Sequence, residues 1–532
     1  MQSADHYDVI IIGTGAGGGA LAYKLAPSGK RVLLIERGDY LPRETDNWIS
    51  SAVFIQNKYV AQENWYDERG KVFRPGIHYF VGGNTKVYGA QLFRLREKDF
   101  EEIQHVDGIS PAWPLKYGDF EPYYTDAERL FHVHGQRGED PLEPPASGPY
   151  PYPPVSHEPR IQQMCDDFTR LGYHPFHGPL GILLDEDEHG KATYDSTCIR
   201  CNRFDGFPCI VRGKADSEVL CVRPALEHPN VTLLTNALVD RLSTDASGRT
   251  VTGVHVQRNG QQEQYSADVV VSACGAINSA LLLLRSANDQ HPTGLANSSD
   301  QVGRNYIRHN NIALMAISKE PNPTVFQKTF AMSDFYFGAK DWEYPLGTLM
   351  MTGKTDGEVI RGEAPHWSAW APQMSFDVMA QHSVDFWVCA EDLPVPENRV
   401  TLDRNGRVTL TLNPKNEEAA HRLEAKLESM LNDLGMHPHL LHRDLYLSKA
   451  MDIAATAHQA GTVRFGADPK TSVLDTNCKA HDLDNLYVVD GGFMPSIGAV
   501  NPALTIIANA LRVGDHLLER LGVSADATVP AR

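Results

Sequence analysis

Tyr7-Asp-Val-Ile-Ile-Ile-Gly13-Thr-Gly15-Ala-Gly-Gly18 and, after a small-residue stretch, Val32-Leu-Leu-Ile-Glu36 decide how this chain begins to fold. An apolar run, a GxGxxG turn, a helix and a second apolar run ending in an acid form a βαβ half, which predicts a doubly wound α/β domain on a parallel sheet. Gly13 permits the sharp turn, Gly15 lets the backbone approach a pyrophosphate, and Gly18 allows close helix–strand packing. The helix N-terminus adds unpaired N–H groups and positive potential. Glu36, 18 residues beyond Gly18, stands where a carboxylate accepts hydrogen bonds from ribose hydroxyls and repels a 2′-phosphate, so FAD or NAD is expected before NADP.

Composition bounds the rest. A chain of 532 residues, 42% of them hydrophobic, exceeds one ordinary core and calls for two or more domains. A formal charge of −18, from 67 acids against 49 bases, argues against nucleic acid or an anionic membrane surface as partner, since both need a cationic face. No apolar run is long enough to insert in a membrane, and no basic and apolar leader precedes the first strand, so the expected location is cytoplasmic. The eight cysteines then read as reduced thiols.

The chain interleaves its domains. A first cofactor-binding part is expected over 1–140, a proline-rich crossing and substrate-side segment over 141–200, a second cofactor part over 201–310, a substrate domain over 311–449 and a third cofactor part over 450–532. Val81-Gly82-Gly83-Asn84-Thr85-Lys86-Val87-Tyr88-Gly89 is a second glycine loop without a βαβ frame of its own, either a tight turn or a loop pressed on the cofactor. Ala267 to Ser272, followed by Gly275 and a leucine-rich helix, repeats the N-terminal logic. In 311–449, Asn311 to Ile317, Arg399 to Leu402 and Arg407 to Leu412 read as strands of one separate antiparallel sheet that carries a helix, Asn416 to Leu434. The overall expectation is α/β: a Rossmann-like domain interleaved with an α+β substrate domain built on an antiparallel sheet.

The C-terminal segment adds His458-Gln-Ala-Gly461-Thr462, Val489-Asp490-Gly491-Gly492 and Asn501-Pro502-Ala503. A strand closing on Asp-Gly-Gly and an Asn-Pro helix start would aim helix N–H groups at an electron-rich ring.

Together with Gly82-Gly83-Asn84-Thr85 and Gly275-Ala-Ile-Asn-Ser279, these motifs occur in the order and spacing of the glucose–methanol–choline (GMC) oxidoreductases, and the chain resembles that family over nearly its whole length. The resemblance implies an FAD enzyme that oxidises a CH–OH group by hydride transfer to flavin N5. His458 is then the base for the hydroxyl proton, and Asn501 the group that hydrogen-bonds the substrate oxygen. A hydride leaves carbon readily only as the hydroxyl loses its proton, so a base must lie within hydrogen-bond reach. By the same carry-over Glu36 holds the adenosine ribose and Val239 meets adenine through its backbone. Gly83, Asn84 and Thr85 lie along the flavin, Asp490 and Gly491 approach the pyrophosphate and ribityl chain, and Ala503 starts the helix that faces the flavin carbonyl.

The chain also departs from the family pattern. Tyr88 replaces an expected Asn, and Val87 stands where pyranose oxidases carry a flavin-linking His, which implies noncovalent FAD with His78 as the one nearby residue able to link. Cys198, Cys201, Cys209 and Cys221 are spaced too loosely for the iron–sulfur cluster of some relatives, so no metal is expected. His366, Trp367, Trp370, Gln373, Gln381, His382 and Trp387 suit stacking on sugar faces with hydrogen bonds at the rim. A sugar or glycoside is the first expectation for substrate, with oxygen or an electron carrier as acceptor. An aliphatic or aryl alcohol and a non-redox FAD lyase of the same family stay open.

Overall fold

The computed structural model describes residues 5–318, 320–363, 371–434, 447–450 and 457–523. Its largest sheet has seven strands. Val231–Leu234, Val32–Ile35, His6–Ile12, the second half of Gln261–Ser272 and Leu486–Val488 run parallel in that order. Val9 to Ile12, Val32 to Ile35 and Leu486 to Val488 are all buried, as expected for parallel strands covered on both faces, which read as continuous rather than alternating apolar runs. The first half of Gln261–Ser272 extends past this core and pairs antiparallel with Val251–Arg258, which pairs in turn with Ala237–Thr244. On the parallel part, helix Ala503–Arg520 packs between Ala16–Leu25 and Tyr117–Leu130.

A second sheet of six strands is antiparallel throughout. Its order is Leu447–Ala450, His309–Ile317, Ser383–Glu391, Thr348–Met351, Phe330–Met332 and Pro175–His177. Side chains alternate between faces along a strand. Ile312, Leu314 and Ala316 therefore bury one face against Phe168 of helix Pro159–Arg170 and Leu423 and Leu427 of helix Glu417–Asp433. His309, Asn311, Ala313 and Met315 are left for the other face, toward the first domain.

Two strands expected in this sheet lie elsewhere. Arg399–Leu402 and Val408–Thr411 pair with each other, and Val408–Thr411 runs parallel to Trp65–Asp67 in a separate four-stranded sheet. Val400, Val408 and Leu410 pack there on Ile277, Leu281 and Tyr306. The Val400 N–H donates to the Gly303 carbonyl at 2.8 Å and the Tyr306 N–H to that of Asn398 at 2.9 Å. Alternation over four residues specifies a half-buried surface, and these backbone contacts decide which one.

The glycines of the first turn divide by what surrounds them. Gly13 has φ +102°, in the region that favours glycine, and a Cβ on Gly18 would stand 2.1 Å from the Gly13 carbonyl oxygen. A Cβ on Gly17 would stand 2.0 Å from the carbonyl oxygen of Val489, whereas one on Gly15 would meet nothing within 4 Å. Gly17→Ala should therefore force the first helix off the last strand, at a cost of about 1–3 kcal/mol, and Gly15→Ala should leave the fold intact. Thermal unfolding of the two variants without added cofactor checks this: the first should melt well below the wild type and the second beside it.

Candidate active site

The two domains enclose a cavity of about 1170 Å³. Gly13, Gly15, Glu36, Gly83, Asn84, Thr85, Val239, Asp490, Gly491, Ala503, His458 and Asn501 all border it. Gly18 does not; it stands behind the turn, against Gly13 and Ala273. Residues up to 490 positions apart in sequence thus come to one space because the parallel sheet ends its strands at one edge, where Ile12, Ile35 and Asp490 deliver their loops.

At the Glu36 end the cradle is preorganised. Glu36 is buried, and its carboxylate accepts from the Thr14 N–H at 3.1 Å, the Thr14 hydroxyl at 2.6 Å and the Gly38 N–H at 3.0 Å. Burial raises its pKa and these donors oppose the shift. Asp490 is engaged in the same way: it accepts from the Gly275 N–H at 3.1 Å, the Gly492 N–H at 2.9 Å and the Ser279 hydroxyl. Burial pushes Asp490 up to about 6. The carboxylate ties its own loop to the turn and helix that start at Gly275. Thr85 is held likewise, its hydroxyl donating to the Gly82 carbonyl at 2.6 Å and accepting the Ser217 N–H at 3.0 Å.

A dinucleotide fits this donor set. The turn brings Gly15 to the cavity with room where a Cβ would be, the N-termini of helices Ala16–Leu25 and Ala503–Arg520 open on the same space, and Glu36 closes one end. Asn84 accepts the His78 backbone N–H at 2.9 Å and lies 3.3 Å from His78 Nδ1. Burial holds that imidazole down at about 4.

At the other end stand His458 and Asn501. Burial, followed by the positive charge of Lys328, lowers His458 to about 4, with Asp205 opposing. Only part of the ring is covered, because it borders the cavity deep inside the molecule. The imidazole is thus neutral over the ordinary pH range and able to accept a proton. Asn501 donates from Nδ2 to the Gln91 carbonyl at 3.0 Å, which fixes its amide at the start of the C-terminal helix.

Sequence reading missed three groups of this end. His309, wholly buried, lies with its Nδ1 2.8 Å from His458 Nδ1. The two are brought together by an antiparallel bridge between Ile307 and Ala460, since two residues onward from one and two back from the other face each other across the ladder. Lys328 and Asp205 form an ion pair over Gly89, at the cavity wall. The available signal was His309 and Asn311, polar residues on the inner face of an otherwise apolar strand; the ion pair left none.

Of the aromatic and polar residues expected to line the pocket, Trp387 does so, opposite Ala313 and Met350 in the sheet. Gln373, Gln381 and His382 belong instead to helix Gln373–His382, which buries Phe376 and Ala380 and turns these polar groups away from the cavity lining. His366, Trp367 and Trp370 lie outside the described residues. Cys198, Cys201, Cys209 and Cys221 are free thiols, and among the described residues no three His, Cys, Asp or Glu side chains are arranged to hold a metal ion. No helix among them is long and apolar enough to cross a membrane.

Comparison with known proteins agrees with this architecture. Profiles described as GMC oxidoreductase match residues 186–311 and 394–510, and one described as an NAD(P)-binding Rossmann-like domain matches 11–42. The chain is 31% identical to 6'''-hydroxyparomomycin C oxidase of Streptomyces lividus, over 98% of this chain and 93% of that one. It is 30% identical to paromamine 6'-oxidase of Streptomyces fradiae, over 95% and 90%. Its fold is similar to that of pyridoxine 4-oxidase from Mesorbium loti, with a TM-score of 0.64 at 18% identity, covering 96% of this chain and 99% of that one. Profile matches in both halves, a relative at 31% identity along nearly the full length and a cavity built for a dinucleotide converge on one conclusion: the chain belongs to the GMC oxidoreductases, the FAD-dependent enzymes that oxidise CH–OH groups.

Proposed function

We propose that the protein oxidises a CH–OH group of a sugar or glycoside, with His458 as base and Asn501 as the hydrogen-bond partner of the substrate oxygen. The observation that carries this reading is that His458, its imidazole kept neutral by burial, and Asn501, fixed at a helix start, border the same cavity. FAD, when bound, supplies the two-electron acceptor for the hydride of the substrate carbon. His458 takes the hydroxyl proton as that hydride leaves, so the alcohol becomes a carbonyl without building up full charge on oxygen. Asn501, with one N–H committed to Gln91, keeps a second N–H for the same oxygen. Low pKa makes His458 a weak base, and its strength lies in being held unprotonated where water is excluded.

Three features favour a polyhydroxylated substrate. Trp387 offers an aromatic face at the cavity, the Lys328–Asp205 pair offers a charged donor and acceptor side by side, and Asn311 lies on the same sheet face. A sugar hydroxyl both donates and accepts, so such a wall matches it better than it matches an apolar alcohol. The relatives named for paromamine and 6'''-hydroxyparomomycin C, which are aminoglycosides, support the same choice.

FAD is held without a covalent bond in this reading: Val87 has no nucleophilic atom, and His78 is turned to Asn84. Acid precipitation of the purified protein should then release all its yellow flavin into the supernatant. Flavin that stayed with the pellet, and was lost from it in His78→Ala, would reverse this part.

Anaerobic mixing of the FAD-loaded protein with glycosides, amino sugars and apolar alcohols tests the whole reading by loss of oxidised-flavin absorbance. Bleaching by the sugars is expected; bleaching by apolar alcohols alone would overturn the substrate class, and no bleaching at all would overturn the redox reading. Because His458 must be neutral to act and is held low, the rate should stay level from neutral pH downward past the ordinary imidazole value. It should fall only toward about 4, where the ring gains its proton. His458→Ala should slow bleaching by about 10²–10⁴-fold with FAD still bound.

A further inference from the structure

His309 makes two hydrogen-bonded contacts, and with the ring neutral, as its burial keeps it, only one choice of proton positions satisfies both. Its Nδ1 lies 2.8 Å from His458 Nδ1, and its Nε2 lies 3.0 Å from the carbonyl oxygen of Gly498. The two rings stand at 86° to each other with centroids 4.9 Å apart, an edge-on approach that suits a hydrogen bond rather than stacking. A carbonyl oxygen only accepts, so His309 Nε2 carries a proton. A neutral imidazole carries one N–H. His309 Nδ1 is then an acceptor, and the proton in the short contact belongs to His458 Nδ1.

The anchor of this chain is itself held. The Ile497 and Gly498 N–H groups donate to one oxygen of Glu391 at 3.2 and 2.9 Å, and the Ala499 N–H donates to the Tyr336 hydroxyl at 2.9 Å. Glu391 stands directly opposite His309 in the sheet register. The Gly498 carbonyl therefore cannot swing away from His309 without breaking a buried set of hydrogen bonds. Full burial and the neighbouring His458 keep His309 uncharged, well below the ordinary imidazole value.

We infer that His309 is a positioning residue that fixes His458 as its Nδ1–H tautomer, leaving the lone pair on Nε2, the nitrogen that acts as base. The chain of bonds ends at a carbonyl, which takes no proton, so a proton gained by His458 has no route beyond His309 and leaves by the cavity. The inference rests on the proposed role of His458 as base, and it specifies which atom performs it.

The test uses the full-length, FAD-loaded protein. In His309→Asn, Oδ1 replaces the accepting Nδ1; in His309→Leu, bulk remains without an acceptor. Ring-¹⁵N-histidine spectra need no substrate. The wild type should show one histidine, absent in His458→Gln, with a protonated Nδ1 and a bare Nε2, and His309→Leu should shift it toward the opposite tautomer. Under anaerobic conditions with the best bleaching substrate, His309→Leu should reduce flavin about tenfold or more slowly at saturation with little change in half-saturating concentration, and His309→Asn should stay within a few-fold of wild type. A wild-type His458 protonated on Nε2, or a Leu variant unchanged in rate and spectrum, would overturn the inference; so would an Asn variant as slow as the Leu one. Should the Leu variant fail to fold, the wild-type spectrum and the Asn variant still decide. If no substrate bleaches the flavin, the proposed function fails, and the spectrum alone judges the tautomer.

Discussion

Helix Ala16–Leu25 lies against the end of the last parallel strand only because Gly17 has no side chain, a Cβ there falling 2.0 Å from the Val489 carbonyl oxygen. That contact joins the beginning of the chain to its end. Leu486–Val488 adds to the edge of Gln261–Ser272, the Val489 N–H bonds the Ser272 carbonyl at 3.1 Å, and Asp490 then turns into the cavity beside the Gly13 loop. From there the chain runs through Ile497 to Ala499, held by Glu391 and Tyr336 of the second domain, to Asn501 and the C-terminal helix. The Asn501 end of the cavity is therefore suspended between two sheets, its position set by hydrogen bonds of its backbone together with the buried side chains of Ile497 and Val500.

The electrostatics follow from this enclosure. The cavity is deep, and most of the ionisable groups on it are paired or shifted. Lys328 is neutralised by Asp205, Glu36 and Asp490 are each wrapped in donors, and His458 and His309 are kept neutral. Unpaired charge in such a space would cost several kcal/mol. A neutral imidazole at one end and donor-rich carboxylates at the other suit a reaction in which charge develops only during the chemical step.

Sequence reading recovered the parts of this design that local patterns encode. GxGxxG with its strands and Glu36, the second glycine loop, and the segments around His458, Asp490 and Asn501 each carry their geometry in adjacent residues, and the structure brings them to one cavity. Partner choice between distant strands is not local. Arg399–Leu402 and Val408–Thr411 alternate as strands of either sheet would, and backbone contacts to Gly303 and Tyr306 send them to the smaller one. His309 went unnoticed for the same reason: its meaning lies in the bridge of Ile307 with Ala460, 153 positions on. Gln373, Gln381 and His382 misled because composition suggested a pocket where helical periodicity faces them elsewhere.

In the proposed chemistry one half-buried residue, His458, takes a proton while the substrate carbon gives up a hydride. Single-turnover flavin reduction by a sugar deuterated at the oxidised carbon, compared with the unlabelled sugar in H2O and in D2O, addresses it most directly. Carbon deuteration should slow the wild type, and the rate in His458→Ala should rise with pH as hydroxide replaces the missing base. Flavin reduction insensitive to carbon deuteration, or a His458→Ala variant as fast as wild type at neutral pH, would contradict it.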